Sequence, residues 1–176
     1  MLDDKFSTME SMVKYSSIEP KAVHTISQLL MSVQFNPREW RQHVDSIETE
    51  GLTRIMLGHT ENFMLVLTCW GSGQTTPIHD HDGSYYWMKV LEGSLFEQLY
   101  DSDYSESRCG TLGQDTVSFL DATSVHRVTN FQEEPCYSLH LYAPPYTSSS
   151  VYKPGDVMGS DGGERVELVE LNQPPK

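Results

Sequence analysis

From Ile18 to Phe35 the apolar residues Ala22, Val23, Ile26, Leu29, Leu30 and Val33 recur at intervals of three and four. That spacing draws one stripe along an amphipathic helix. A second helix is predicted from Asn36-Pro37-Arg38-Glu39, which offers an N-cap, a proline at the first helical position and an acid three residues after the cap. It should run to about Val44 and present Trp40 to the core. After Gly51 the period changes to two, the signature of half-buried strands. Strands are predicted at 52–57, 62–70, 85–91, 94–100, 116–120, 125–130, 137–142 and 165–171. Gly58-His59-Thr60-Glu61 and Glu92-Gly93 read as turns, and Lys153 to Gly163 as a loop rich in Gly, Asp and Pro. Many short strands at regular spacing argue for a barrel or sandwich. The expected architecture is all-β: one domain over residues 1–176, with a helical segment at 18–50 and a barrel at 51–171.

Composition removes several functions. A net charge of −13 over 176 residues argues against a nucleic-acid partner, because phosphate binding needs clustered Lys and Arg. No apolar run approaches the length of a membrane span, so no membrane partner is expected. The opening Met1-Leu2-Asp3-Asp4-Lys5 has no basic-plus-apolar leader pattern. Three cysteines, Cys69, Cys109 and Cys136, are too few and odd in number for a disulfide framework, so a reducing, cytoplasmic setting is expected.

The chemistry concentrates in His79-Asp80-His81, with His126 far downstream. Histidines two apart in an extended segment point to the same face, and neutral imidazole is the commonest protein ligand for a divalent metal. His24, His43 and His59 fit ordinary polar positions. Gly73 lies six residues before His79, Gly93 twelve after His81, and Asn130 four after His126. These spacings resemble much of the two-part signature of the cupin superfamily, double-stranded β-barrels (jelly rolls) with a metal in the mouth. That pattern commonly has a glutamate five residues after the second histidine, where this chain has Tyr86. An all-histidine site keeps the metal's full double positive charge. It suits zinc with water, or iron(II) completed by an anionic substrate.

The chain further resembles the cysteine dioxygenase family within the cupins. The resemblance rests on Asn36-Pro37-x-Glu39-Trp40, Thr53-Arg54, Cys69-Trp70-Gly71, Ile78-His79-Asp80-His81, His126-Arg127-Val128 and Ser138-Leu139-His140-Leu141-Tyr142 before Pro144-Pro145. It implies oxidation of L-cysteine by dioxygen to cysteine sulfinic acid on non-haem Fe(II), a step in cysteine catabolism and taurine biosynthesis. It further implies His79, His81 and His126 as metal ligands and Arg54 as the partner of the substrate carboxylate. Tyr142, His140 and Ser138 resemble a relay in which the serine orients the histidine and the histidine bonds the tyrosine hydroxyl near bound oxygen. Trp70 would support the pocket wall. The implied partners are a small thiol and O2, and a monomer is expected.

Three positions depart from the family. Tyr86 stands where animal members have a cysteine that crosslinks to the tyrosine matching Tyr142, and where bacterial members have glycine. It therefore either turns away or narrows the substrate pocket. Leu52 replaces a tyrosine near the carboxylate site, and the Thr147-Ser148-Ser149 neighbourhood replaces a pocket-edge cysteine. Alternative readings are a dioxygenase of 3-mercaptopropionate or another small thiol, a zinc enzyme on the same barrel, and a degenerate cupin that only binds a ligand.

Overall fold

The computed structural model describes residues 20–44, 51–101, 103, 105–153 and 164–167, with 20–23 and 164–167 described through their backbone. Helix α1 (Pro20–Ser32) starts on a proline, whose missing N–H is no loss at a first helical position. Ile26 and Leu30, from the middle of the predicted stripe, form its buried face. Helix α2 (Pro37–Arg41) starts as predicted: Asn36 is extended, and its side chain accepts the Arg38 N–H at 3.0 Å. It ends at Arg41, not near Val44, because the chain tightens there. The N–H groups of His43 and Val44 bond back three residues, to the Trp40 and Arg41 carbonyls. Trp40 and Val44 both reach the core.

The strands are β1 (Leu52–His59), β2 (Met64–Trp70), β3 (Ile78–His79), β4 (Tyr85–Glu92), β5 (Ser94–Tyr100) and β6 (Glu106–Gly113). They continue with β7 (Val117–Leu120), β8 (Val125–Thr129), β9 (Cys136–Ala143), β10 (Ser148–Tyr152) and β11 (Glu164–Glu167). One turn differs from expectation. Gly58 and His59 belong to β1, and the reversal falls at 60–63, where the Thr60 hydroxyl accepts the N–H groups of Asn62 and Phe63. A register shift between Met56 and Gly58 lets β1 extend that far. Strands β3, β6 and β10 were not expected. The first is two residues long after Pro77, the second is an exposed strand without alternation, and the third begins with three serines. Residues 154–163 of the expected loop and 168–171 of the expected last strand lie outside the described residues.

Two antiparallel sheets form the barrel, in the orders β1-β2-β9-β4-β7 and β11-β10-β3-β8-β5-β6. The first sheet is buried on both faces. Leu65, Leu67, Trp87, Leu139 and Leu141 pack outward with Ile26, Leu30 and Trp40 of the helices. Met64, Val66, Trp70, Tyr86, Met88 and Tyr142 point the other way, into the barrel with Leu95 and Val128 of the second sheet. Strict alternation along each strand therefore divides the apolar residues between a helix-facing core and a site-facing core.

Lys89 locks the helices to the sheet. Fully buried on the outward face of β4, its ammonium donates to the carbonyls of Leu30 at 2.9 Å and Val33 at 2.6 Å, and pairs with Asp115 at 3.3 Å. A cation at the end of α1 satisfies carbonyls that have no partner within the helix. At the β4–β5 turn Gly93 has φ +81, and an added Cβ would lie 2.6 Å from Cys136 Sγ, so a side chain there meets both strain and a clash. Among the described residues no helix is long and apolar enough to cross a membrane.

Candidate metal centre

The short pairing of β3 with β8 sets His79 directly opposite His126. His81 lies beyond β3, in a turn whose Asp82 and Gly83 have φ of 49 and 86, so this turn and not a continuous strand returns it to its neighbours. One ring nitrogen from each of the three histidines lies within 4.8 Å of the others, and all three residues are buried. No carboxylate or thiolate joins that group among the described residues.

The far sides of two rings are already engaged. His79 Nδ1 is 3.0 Å from the Pro77 carbonyl, and His126 Nδ1 is 2.9 Å from a Glu97 carboxylate oxygen. Each contact holds a proton on Nδ1 and leaves Nε2 as the free lone pair. His81 is 1% exposed, yet neither of its ring nitrogens has a hydrogen-bond partner. Buried polar atoms are seldom left so, and an orphaned imidazole nitrogen beside two others fits a divalent cation. Burial holds His79 and His81 well below the ordinary histidine range, and the repulsion between closely placed rings that protonation would create adds to the effect. The rings therefore stay neutral, the form that binds a metal.

Strand β9 presents Ser138, His140 and Tyr142 to the barrel interior in alternation. Ser138 Oγ lies 2.6 Å from His140 Nε2, and the Trp70 indole N–H donates to the same oxygen at 2.8 Å. Trp70 therefore does more than line a wall. On the other side, His140 Nδ1 is 3.3 Å from the Tyr142 hydroxyl and 3.1 Å from that of Tyr86. Burial pushes His140 well below its usual range, Tyr142 upward and Tyr86 far upward, so all three are neutral at pH 7. The Tyr146 ring packs against that of Tyr142 beside this network, with centroids 4.7 Å apart.

Tyr86 points inward. It sits opposite Tyr142 in the β4–β9 register, with ring centroids 5.3 Å apart, and stacks on His81 at 4.5 Å and 17°. The phenol thus occupies the space between His81 and the β9 side chains. Arg54 is half-buried on β1 between Leu52 and Met56, both of which pack into the site-facing core. Its charge depresses the basicity of His79, His81 and His140, which places it electrostatically within the cluster. Among the described residues its guanidinium has no carboxylate partner.

Two supporting carboxylates were not singled out from the sequence. Glu97, 4% exposed, is one. Its parity with Leu95 and Leu99 on β5 carried the signal, since an acid on the apolar face of a strand points inward. The other is Asp80, between the two histidines. It accepts the Tyr152 hydroxyl at 2.6 Å and the Ser150 N–H at 2.9 Å, while Ser149 Oγ donates to its carbonyl at 2.8 Å. Ser148 Oγ donates to Asp82 at 2.8 Å. The serines of β10 therefore anchor the histidine loop.

The family model for cysteine dioxygenase type I matches residues 4–154. A cysteine dioxygenase type 1 of Danio rerio is 29% identical over 160 residues, covering 86% of this chain and 78% of its own length. Its counterpart from Rattus norvegicus is 29% identical over 138 residues, covering 74% and 69%. A solved protein from Klebsiella pneumoniae described as having a double-stranded β-helix domain superposes with a TM-score of 0.54 at 17% identity, over 68% of this chain and 96% of that one. This last likeness shows the fold alone.

Proposed function

The chain belongs to the cysteine dioxygenase type I family and is an oxidoreductase, and from that premise we propose that it converts L-cysteine and O2 to cysteine sulfinic acid on Fe(II) held by His79, His81 and His126. The reaction balances without an external reductant, because both oxygen atoms end on sulfur. The observation that carries the reading is His81: a buried imidazole with two unpartnered nitrogens, grouped with two more buried imidazoles. The chemistry expected of iron(II) in such a site is acidification of a coordinated thiol and activation of dioxygen.

The protein's own groups do the rest. Arg54 binds the substrate carboxylate through its planar fork, which fixes the amino acid's orientation and neutralises a charge that would be costly to bury alone. Three imidazole ligands add no negative charge, so the site accepts an anionic thiolate. The relay can be assigned by hydrogen-bond accounting. Trp70 occupies a lone pair of Ser138, whose own hydroxyl proton then goes to His140 Nε2. His140 consequently carries its proton on Nδ1 and donates it toward the two phenol oxygens. The hydroxyl protons of Tyr142 and Tyr86 are thereby left for substrate or for oxygen that is gaining negative charge. Tyr86 also packs on His81 and limits the thiol to a short one.

The test is metal content together with oxygen uptake. Protein loaded anaerobically with Fe(II) should consume O2 with L-cysteine faster than with 3-mercaptopropionate or cysteamine. His79→Ala, His81→Ala and His126→Ala should each lose iron and activity. Full iron and turnover in any of the three removes that residue from the set. Faster uptake with a thiol lacking the amine or the carboxylate reassigns the substrate.

A further inference from the structure

The cluster of three buried imidazoles has an acidic residue immediately behind it. Glu97 and His126 are side chains on adjacent strands, β5 and β8, in a register that pairs Leu99 with His126 and Glu97 with Val128. The two side chains are thus diagonal neighbours on one face. One carboxylate oxygen is 2.9 Å from His126 Nδ1, and the side chains are 5% and 1% exposed. The other oxygen accepts the hydroxyl of Ser118 from β7, across the gap between the two sheets. A carboxylate placed there can accept from both neighbours, one on each oxygen. A cavity of about 340 Å³ between β6 and β7, with Arg108 and Ser118 in its lining, reaches Glu97 from the outside.

We propose that Glu97 is a positioning residue for the metal centre, which pins His126 as the Nδ1–H tautomer and lends the all-histidine site a negative charge one hydrogen bond away. The position that usually carries the cupin glutamate is filled by Tyr86 in this chain, and Glu97 partly restores that charge from behind His126. Outer partners of this kind orient the ring and raise its basicity as a ligand. The proposal rests on the metal reading above and not on the identity of the thiol.

The test uses metal-free protein titrated with Co(II) and, anaerobically, with Fe(II) against a competing chelator. Glu97→Gln keeps an acceptor for Nδ1–H and the side-chain volume but removes the charge. It should weaken binding about tenfold and raise the Fe(III)/Fe(II) potential, while Glu97→Ala should weaken binding up to about 100-fold. Wild-type affinity and potential in Glu97→Gln would overturn the proposal. Failure of the wild-type protein itself to bind either ion would instead overturn the metal reading. A measurement without substitution keeps the question open to refutation if the variants misfold. In Zn(II)-loaded wild-type protein, ring 15N spectra should show His126 protonated on Nδ1 and ligated through Nε2. The opposite tautomer would contradict the proposal.

Discussion

Replacing Ser138 by alanine removes one oxygen that serves two buried partners. Trp70 Nε1 donates to it at 2.8 Å and His140 Nε2 lies 2.6 Å away, with all three residues under 5% exposed. The substitution strands an indole N–H and an imidazole nitrogen in a region closed to water. Each unsatisfied buried group costs about 1–3 kcal/mol, so the variant should lose about 2–6 kcal/mol. A chain of this size shifts by about 2–4 °C per kcal/mol, which puts the fall in Tm at about 4–24 °C. Trp70→Phe deletes one of the two stranded groups in advance. In that background Ser138→Ala should cost about 1–3 kcal/mol less, and this difference is the coupling energy of a double-mutant cycle. The assay is urea unfolding of the metal-free wild type, both single variants and the double variant. Coupling below about 0.5 kcal/mol, the level at which independent sites simply add, would refute the argument that one oxygen serves both partners.

The remaining expectations concern substrate and pH. Arg54→Ala should lower kcat/KM for L-cysteine about 10- to 150-fold, the equivalent of one charge-assisted hydrogen bond of about 1.5–3 kcal/mol, and leave cysteamine, which has no carboxylate, nearly unchanged. Equal losses on both thiols would make Arg54 structural. Tyr86→Gly should raise turnover of bulkier thiols relative to L-cysteine, and an unchanged ratio would remove Tyr86 from the pocket wall. His140 is depressed well below its usual range by burial, so between about pH 6.5, the ordinary unfolded value, and its folded value the unfolded chain binds the extra proton. Stability attributable to a neutral His140 is therefore present above that window and lost on acidification, by about 1.4 kcal/mol per pH unit. The stability gap between wild type and His140→Gln should narrow from pH 7 to pH 5, and a constant gap would contradict the assignment.

The reach of the sequence followed the physics of each element. Strands such as β2 and β4 were legible because tertiary burial is written into their apolar runs, and the α2 N-cap because Asn36-Pro37 is local chemistry. Strand β6 was not, since six of its eight residues are exposed and it carries no alternation to read. Strand β10 owes its place to its side-chain bonds with Asp80 and Asp82, a long-range cause invisible in a serine run. The histidine trio stood out because its residue types and spacing are chemical. Glu97 carries no motif of its own; only its parity with Leu95 and Leu99 on β5 turns it toward the barrel interior. Whether Tyr86 turned in or out depended on the β4–β9 register, and the pairing with Tyr142 turns it in.

The most direct test of the central claim follows both atoms of molecular oxygen. Protein loaded with Fe(II) and given L-cysteine under 18O2 should release cysteine sulfinic acid carrying two 18O atoms, as read by mass spectrometry of the product. Sulfinic acid labelled at a single oxygen, with the second drawn from water, or cystine as the only product, would contradict a dioxygenase built on His79, His81 and His126.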